Sequence, residues 1–407
     1  MSPQELRASL ALASIFGLRL FGMFIILPVF ALYAEKLPGW NHTLIGVALG
    51  AYGLTQAVLQ VPFGWASDRI GRKPVLYAGL AIFAAGSLLC AAATTPAMLI
   101  VGRVLQGAGA ISGVAIAMAA DLTRDSQRSK AMALIGSTIG LAFALSLVAA
   151  PFLQSRIGVP GIFALTAGLA IAAIGVVALV LPQPGAPSTM RSAVGFAQVL
   201  RDPQLARLNA GIFVLQAILM AIFVVVPLAL VRSGLPAADH WWLYLAVITA
   251  GLVLMLPVFL NRSASRSERP VFLGCIALVA VSIVVLAAWP GNLTATALGL
   301  VIFFAAFNVL EAKLPALVSR AAPATGKGAA AGVYSSVQFL GTFVGAVAGG
   351  ALSEHAGYYG VMAFCFVLAV AWSLVARGMG DFAAVRAEGD ELVPSTLVPA
   401  TPPAARS

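Results

Sequence analysis

The chain has 407 residues, 61% of them hydrophobic and only 9% charged, against roughly 45–50% and about 25% in soluble globular proteins. That excludes a soluble fold, and it makes the membrane span of about 20 residues the natural unit of length. The net charge of +10 would suggest nucleic acid in a soluble chain, but here it has first to be tested for sidedness.

Apolar stretches of spanning length recur at 8–34, 43–65, 74–94, 97–120, 131–154, 159–181, 206–231, 241–260, 271–289, 293–319, 328–352 and 358–376. The expectation is an all-α membrane protein with twelve transmembrane helices. Arg7 precedes the first stretch, which is too long for a signal-peptide core and has no cleavage site behind it, so it reads as a retained span. Cys90, Cys275 and Cys365 fall in apolar segments without paired spacing, which supports neither a disulfide framework nor a zinc ribbon.

With the N-terminus in the cytoplasm, eighteen of the 24 Lys and Arg fall in cytoplasmic segments. Three (Lys36, Arg156, Arg232) fall outside and three (Arg19, Arg103, Lys313) lie within spans. Cationic loops are retained on the cytoplasmic side, so this bias places both termini there. Most of the net charge thereby becomes a topology signal, and no nucleic-acid partner is expected.

A weak internal repeat emerges when the halves are slid by about 196 residues. Arg72-Lys73-Pro74-Val75 then falls on Glu268-Arg269-Pro270-Val271, and Ser129-Lys130-Ala131 falls near Gly326-Lys327-Gly328. A six-plus-six duplication puts a substrate site between the halves near the bilayer midplane. The expected organisation is a first six-helix bundle at 1–181, a linker at 182–205, a second bundle at 206–378 and a disordered tail at 379–407. Within the linker, Phe196, Val199 and Leu200 make one apolar helical face flanked by Arg191 and Arg201, as in an interfacial helix.

The strongest local pattern is Gly64-Trp65-Ala66-Ser67-Asp68-Arg69-Ile70-Gly71-Arg72-Lys73, at the end of the second span. Here Gly64 admits a close helix neighbour, Gly71 permits a tight turn, and Asp68 can pair with Arg72 or sit at a helix N-terminus. A generic cationic loop needs neither these glycines nor a lone acid at these spacings. The fourth span carries Leu99, Arg103, Gln106, Gly107, Gly109 and Ala110, and the first carries Leu20, Gly22, Leu27 and Pro28.

With these motifs the chain resembles the major facilitator superfamily, and within it the bacterial drug:proton antiporter branch with twelve spans, up to about residue 378. The fifth span departs from the branch, with Ala149-Ala150 before Pro151 where a Gly-Pro ending is usual. The resemblance implies two six-helix bundles that rock about a central site. It also implies a charge cluster of Asp68, Arg72 and Asp121 that holds the outward-open state against the eleventh helix. It implies a monomer in the bacterial cytoplasmic membrane, energised by the proton gradient with no cofactor.

Ionisable residues inside spans are rare and costly, so each is a functional candidate. They are Arg19, Arg103, Glu311 and Lys313. Glu311 is the one acid well inside a span, with Asn308 one turn away, and is the candidate for proton coupling. The competing reading is a structural ion pair with a cation such as Arg19. Lys313, two residues on, points elsewhere around the helix. Arg103 reads as conformational or proton-linked from its motif. Softer cavity candidates are Tyr52 with Gln56, Gln106, and Tyr334 with Gln338, the two Tyr-Gln pairs having i,i+4 spacing; interhelical hydrogen bonding explains them equally well. Phe24, Phe213, Phe304 and Phe307 are candidates for an apolar lining, against a core or lipid-facing role.

His42, His240 and His355 lie near outer loop ends, so no metal-binding helix is expected, and a Walker A sequence is absent. No clustered catalytic set points to an enzyme. The expected function is proton-coupled efflux of a small amphipathic or hydrophobic compound, with a proton symporter or uniporter for a polar metabolite such as a sugar as the alternative.

Overall fold

A computed structural model describes residues 1–182, 194–260, 268–323 and 326–379. The tail and residues 183–193 of the linker, where expectations were also placed, lie outside the described residues. Fourteen α-helices are found among them, in the order α1 (Pro3–Phe24), α2 (Leu27–Ala34), α3 (His42–Ile70), α4 (Arg72–Ala91), α5 (Pro96–Ala108), α6 (Ser112–Asp121), α7 (Asp125–Leu179), α8 (Val194–Arg201), α9 (Pro203–Arg232), α10 (His240–Leu260), α11 (Glu268–Ala288), α12 (Leu293–Ala321), α13 (Lys327–His355) and α14 (Gly357–Arg377).

Side-chain caps fix several of the starts. Ser2 and Glu5 form a reciprocal capping box on α1. The side chains of Asn41, Thr95, Asp202 and Asn292 accept from the orphan N–H groups of α3, α5, α9 and α12.

Eleven helical stretches are long and apolar enough to cross a membrane. One of them belongs to the 55-residue α7, which bends at Gly158, where φ is 67°. A straight helix of that length would reach roughly 80 Å, far beyond a bilayer core of about 30 Å. The bend therefore divides α7 into the fifth and sixth spans, and twelve crossings result.

Two of the expected continuous spans are broken. The first turns at Ile25 and Ile26 ahead of Pro28, and the fourth breaks at Gly109–Ile111. At that second break, a Cβ on Gly107 would collide with the backbone of Tyr52 on α3 and a Cβ on Gly109 with that of Gly79 on α4. Backbone contact of this closeness leaves room only for glycine. In α8, Val199 is buried whereas Leu200 is exposed. The expected single apolar face is therefore split, because neighbours along a helix point about 100° apart.

The duplication is visible in the helix starts. Residues 3, 42, 72 and 96 correspond to 203, 240, 268 and 293, offsets of 200, 198, 196 and 197. Helices α1–α7 form one six-span bundle and α9–α14 the other.

Among the described residues, the packing between the two bundles gathers toward one end. Call the end that carries residues 68–73 and the chain start the motif end, and the opposite one the far end. In the far half, α3 crosses α13, α2 lies on α9, and α7 packs on α10. There the first bundle shares one continuous apolar core with the second, running from Ile25–Ala34 through Leu147 to Ile222 and Phe304. In its motif half it has a second core built on Leu12, Leu76 and Met118, joined from the other bundle by Phe339 beside Tyr52.

Candidate functional site: an inter-bundle cleft and its charged end

The α3–α13 crossing depends on small residues. A Cβ on Gly53 would lie 2.7 Å from the Phe339 carbonyl oxygen and one on Gly50 3.0 Å from that of Phe343, while one on Gly46 would collide with the Ala346 carbonyl. Side chains latch the same seam at the far end. His42 Nδ1 lies 2.8 Å from Ser353 Oγ, and the Thr43 N–H and hydroxyl both donate to the Glu354 carboxylate.

Helical spacing carries the same face of α3 on to Gly64, and that of α13 on to Gly332 and Gly328. None of these three would meet an atom within 4 Å of an added Cβ. The expectation that Gly64 seats a close neighbour is therefore not met in this conformation. Past their crossing the two helices diverge, and the space between them is a cleft open at the motif end.

Gly71 makes the turn expected of it, with φ at 97°. Arg72, buried under the loop, bridges the two acids of the cluster. Its Nη1 is 2.5 Å from Asp68 Oδ1 and its Nε 2.9 Å from Asp121 Oδ2, with a further bond to Ser67 Oγ at 2.6 Å. Arg69 lies outside the cluster, its guanidinium 3.8 Å from the centroid of the exposed Trp65 ring, and Lys73 follows half-buried in the first turn of α4.

An adjoining clamp was not anticipated. Glu5 accepts from the Arg124 backbone N–H at 3.1 Å and from its Nε and Nη2 at 2.9 and 3.1 Å. The sequence signal for it was the Ser2-x-x-Glu5 spacing of a capping box.

At the head of the cleft, Glu311 on α12 is half-buried and held by two amides. Gln216 of α9 donates to Oε2 at 3.1 Å and Gln338 of α13 to Oε1 at 2.9 Å. The alternative of an ion pair with Arg19 is thus not realised here, and Lys313 is not paired with Glu311 either. Asn308 is half-buried one turn away, and the Tyr334 hydroxyl is buried without a hydrogen-bond partner. Gln216 was missed, although it is a lone amide in the run Ile212–Leu230 that is otherwise apolar.

One turn further toward the far end the cleft closes on aromatic rings. Phe143 of α7 stacks on Phe307 at 5.9 Å and contacts Phe304 at 5.8 Å, Phe24 at 5.0 Å and Phe223 at 6.4 Å. Phe24, Phe304 and Phe307 therefore do meet, around a ring that the sequence did not single out. Phe213 lies elsewhere, its backbone against Gly341.

In the first bundle Arg19 donates to Ser112 Oγ at 2.6 Å and to Gln56 Oε1, and Gln56 passes a bond on to Gln60 at 2.8 Å. Arg103 donates to Gln106 Oε1 at 2.9 Å and to the Ala48 and Leu49 carbonyls, while Gln106 donates to Ser87 Oγ at 2.8 Å. Tyr52 lies between the two guanidinium groups.

Two six-span bundles closed on each other at one end, with a carboxylate between neutral amides at the head of a cleft, define a membrane transporter rather than an enzyme. The chain belongs to the Major Facilitator Superfamily, whose family model matches residues 12–266. It is 41% identical to the inner membrane transport protein YajR of Escherichia coli K12 over 94% of this chain and 85% of that protein. To the multidrug resistance protein MdtH of Aeromonas salmonicida it is 25% identical, over 84% of this chain and 86% of that one. Among solved structures, it superposes on a bacterial homologue of the human lysosomal transporter Spinster, in an inward-facing and unoccupied conformation, with a TM-score of 0.71. That likeness, at 13% identity over 95% of this chain and 98% of the other, shows the shared fold.

Proposed function

We propose that the chain is a secondary active transporter of the bacterial cytoplasmic membrane that works by alternating access and couples efflux of a small amphipathic or hydrophobic compound to inward movement of protons. The observation that carries this reading is Glu311. It sits half-buried at the head of the cleft with Gln216 and Gln338 as its hydrogen-bond donors and an aromatic ceiling one turn above. A carboxylate held by amides gains and loses a proton without breaking an ion pair, which a proton carrier requires. The aromatic rings beside it offer apolar area to a lipophilic substrate.

The distribution of Lys and Arg supports a cytoplasmic motif end, so this conformation opens to the cytoplasm. In the other state the far-end seam parts, and Gly64 meets the small residues Gly328 and Gly332 across the closed motif end. The cluster of Asp68, Arg72 and Asp121 stabilises that second arrangement. Arg103, through its hold on the α3 carbonyls, links the fourth span to the moving seam. The name of the MdtH relative supports a drug-like substrate class, and that of YajR supports the inner membrane.

The test is made in everted vesicles with an imposed inside-acid gradient. Accumulation of a lipophilic fluorescent dye that collapses with the gradient is expected, and Glu311→Gln is expected to abolish the gradient dependence. Unchanged coupling in that variant removes Glu311 as the carrier, and dye movement indifferent to the gradient removes antiport.

A further inference from the structure

Among the described residues, two positive charges inside the spans of the first bundle are buried with no acid beside them. Arg19 and Arg103 are 3% and 2% exposed, and the groups that accept from them, Ser112, Gln56, Gln106 and two backbone carbonyls, are all neutral. The sequence explains the lack of an acid: residues 6–34, 36–67, 69–120 and 130–181 contain no Asp or Glu. The bundle's acids sit at helix ends, where Glu5 is engaged by Arg124, Asp68 and Asp121 by Arg72, Glu35 lies beside His42, and Asp125 is the first residue of α7. Glu311, in the other bundle, is held by its two amides.

Donors are also left over at the same place. Arg19 Nε and the Tyr52 hydroxyl are buried without a hydrogen-bond partner. The Tyr52 ring lies 5.8 Å from the Arg19 guanidinium carbon and 5.1 Å from that of Arg103. A cluster of donors and cations that lacks a negative acceptor is the complement of an anion. Its cover is a moving part, since the Phe339 ring of α13 lies edge-on to Tyr52 at 6.4 Å, beside the Gly53 contact. Withdrawal of α13 from α3 uncovers Tyr52 and the charges behind it.

We propose that Arg19 and Tyr52, backed by the charge of Arg103, form an anion site, and that the transported compound carries a carboxylate or a comparably compact negative group that this site receives. The inference rests on the alternating-access reading and narrows its substrate class. Two sources of the anion are distinguished by the test: the substrate's own carboxylate and an inorganic anion such as chloride.

The full chain in detergent is titrated with 1-naphthoate and with its neutral counterpart 1-naphthamide, and separately with chloride in exchange for HEPES, reading the thermal midpoint. The expected result is stabilisation by naphthoate and not by naphthamide. Affinity should fall at least tenfold in Arg19→Gln, be partly retained in Arg19→Lys, and weaken in Tyr52→Phe, which keeps the ring and removes the spare hydroxyl. If Arg19→Gln does not fold, Arg19→Lys and Tyr52→Phe carry the test. Equal responses to naphthoate and naphthamide, no response to either naphthoate or chloride, or a naphthoate affinity unchanged in all variants overturns the site. A response to chloride alone overturns the substrate assignment. Dye accumulation in everted vesicles separates the two levels: if it proceeds while naphthoate neither binds nor competes, the anion site falls and the transport reading stands, whereas loss of gradient-driven accumulation itself sinks the transport reading.

Discussion

Alanine at two glycines of the same helix, Gly53 and Gly64, is expected to push the transporter in opposite directions. In the structure a Cβ on Gly53 lies 2.7 Å from the Phe339 carbonyl oxygen and 3.2 Å from the Phe343 nitrogen. A carbon and a carbonyl oxygen normally meet at about 3.3 Å or more, so α3 and α13 must part by roughly half an ångström, against backbone that cannot rotate away. Overpacking of this kind costs typically about 1–3 kcal/mol, and a bias of that size moves a two-state equilibrium roughly 5–150-fold. Gly53→Ala should therefore depopulate the far-end-closed state by that factor. Gly64→Ala costs nothing here, because no atom lies within 4 Å of its Cβ; its cost falls on the state in which the motif end closes. The gain in helix propensity from Gly to Ala, about 1 kcal/mol, is common to both states and cancels. Distances between spin labels at Lys36 and His355 across the far end, and at Ile70 and Arg377 across the motif end, report the shift. All four sites are exposed and the three native cysteines are buried. A far-end distance distribution unchanged in Gly53→Ala, or a shift of the same sign in Gly64→Ala, refutes the reasoning.

Other substitutions probe the remaining parts. Asp68→Asn removes one of the two carboxylates on Arg72 and is expected to lower vesicle transport tenfold or more with normal membrane insertion, so wild-type rates would dismiss the cluster as a functional element. Gly71→Ala forces a side chain into φ of 97°, a strain of about 1–2 kcal/mol, and should lower the thermal midpoint of the purified protein. Glu5→Gln strips Arg124 of its ionic partner; the midpoint should fall in low salt and the difference from wild type should shrink in high salt, as expected of a partly exposed pair. Phe143→Ala removes ring contacts to three helices of the opposite bundle or its own, each pair worth about 0.5–1.5 kcal/mol. Label distances should then show the far end opening, and an unmoved distribution would mean that the rings do not hold the seam.

Much of the fold was legible because membrane insertion is governed by local hydropathy. The breaks at Thr94–Pro96 and Trp289–Gly291 fall where α4 gives way to α5 and α11 to α12, since proline, glycine and capping side chains act on their own neighbours. The turn at Gly71 and the Asp68–Arg72 pair were legible for the same reason, lying within five residues, whereas Asp121, 49 residues from Arg72, was expected only from the family resemblance. Glu311 stood out as an acid in an apolar run. Its pairing did not, because Gln216 and Gln338 lie 95 and 27 residues away; Gln338 was a cavity candidate through its spacing from Tyr334, while Gln216 carried no charge to mark it. Phe143 was equally silent among 22 phenylalanines.

The sequence alone determined the number of spans, the two-fold repeat, the charge asymmetry between the two ends and the place of the ionisable residues along each helix. All but the repeat, which is a likeness between segments about 196 residues apart, follow from composition within about 20 residues of chain, the distance over which the bilayer reads a segment. Which end is closed, that Gly64 faces open space while Gly53 is pressed against α13, that Glu311 bonds to amides and not to Arg19, and that Arg19 and Arg103 come to lie on either side of Tyr52 were decided by the tertiary structure. Those properties depend on how two rigid bundles are set against each other, and the same hydropathy pattern is compatible with either setting.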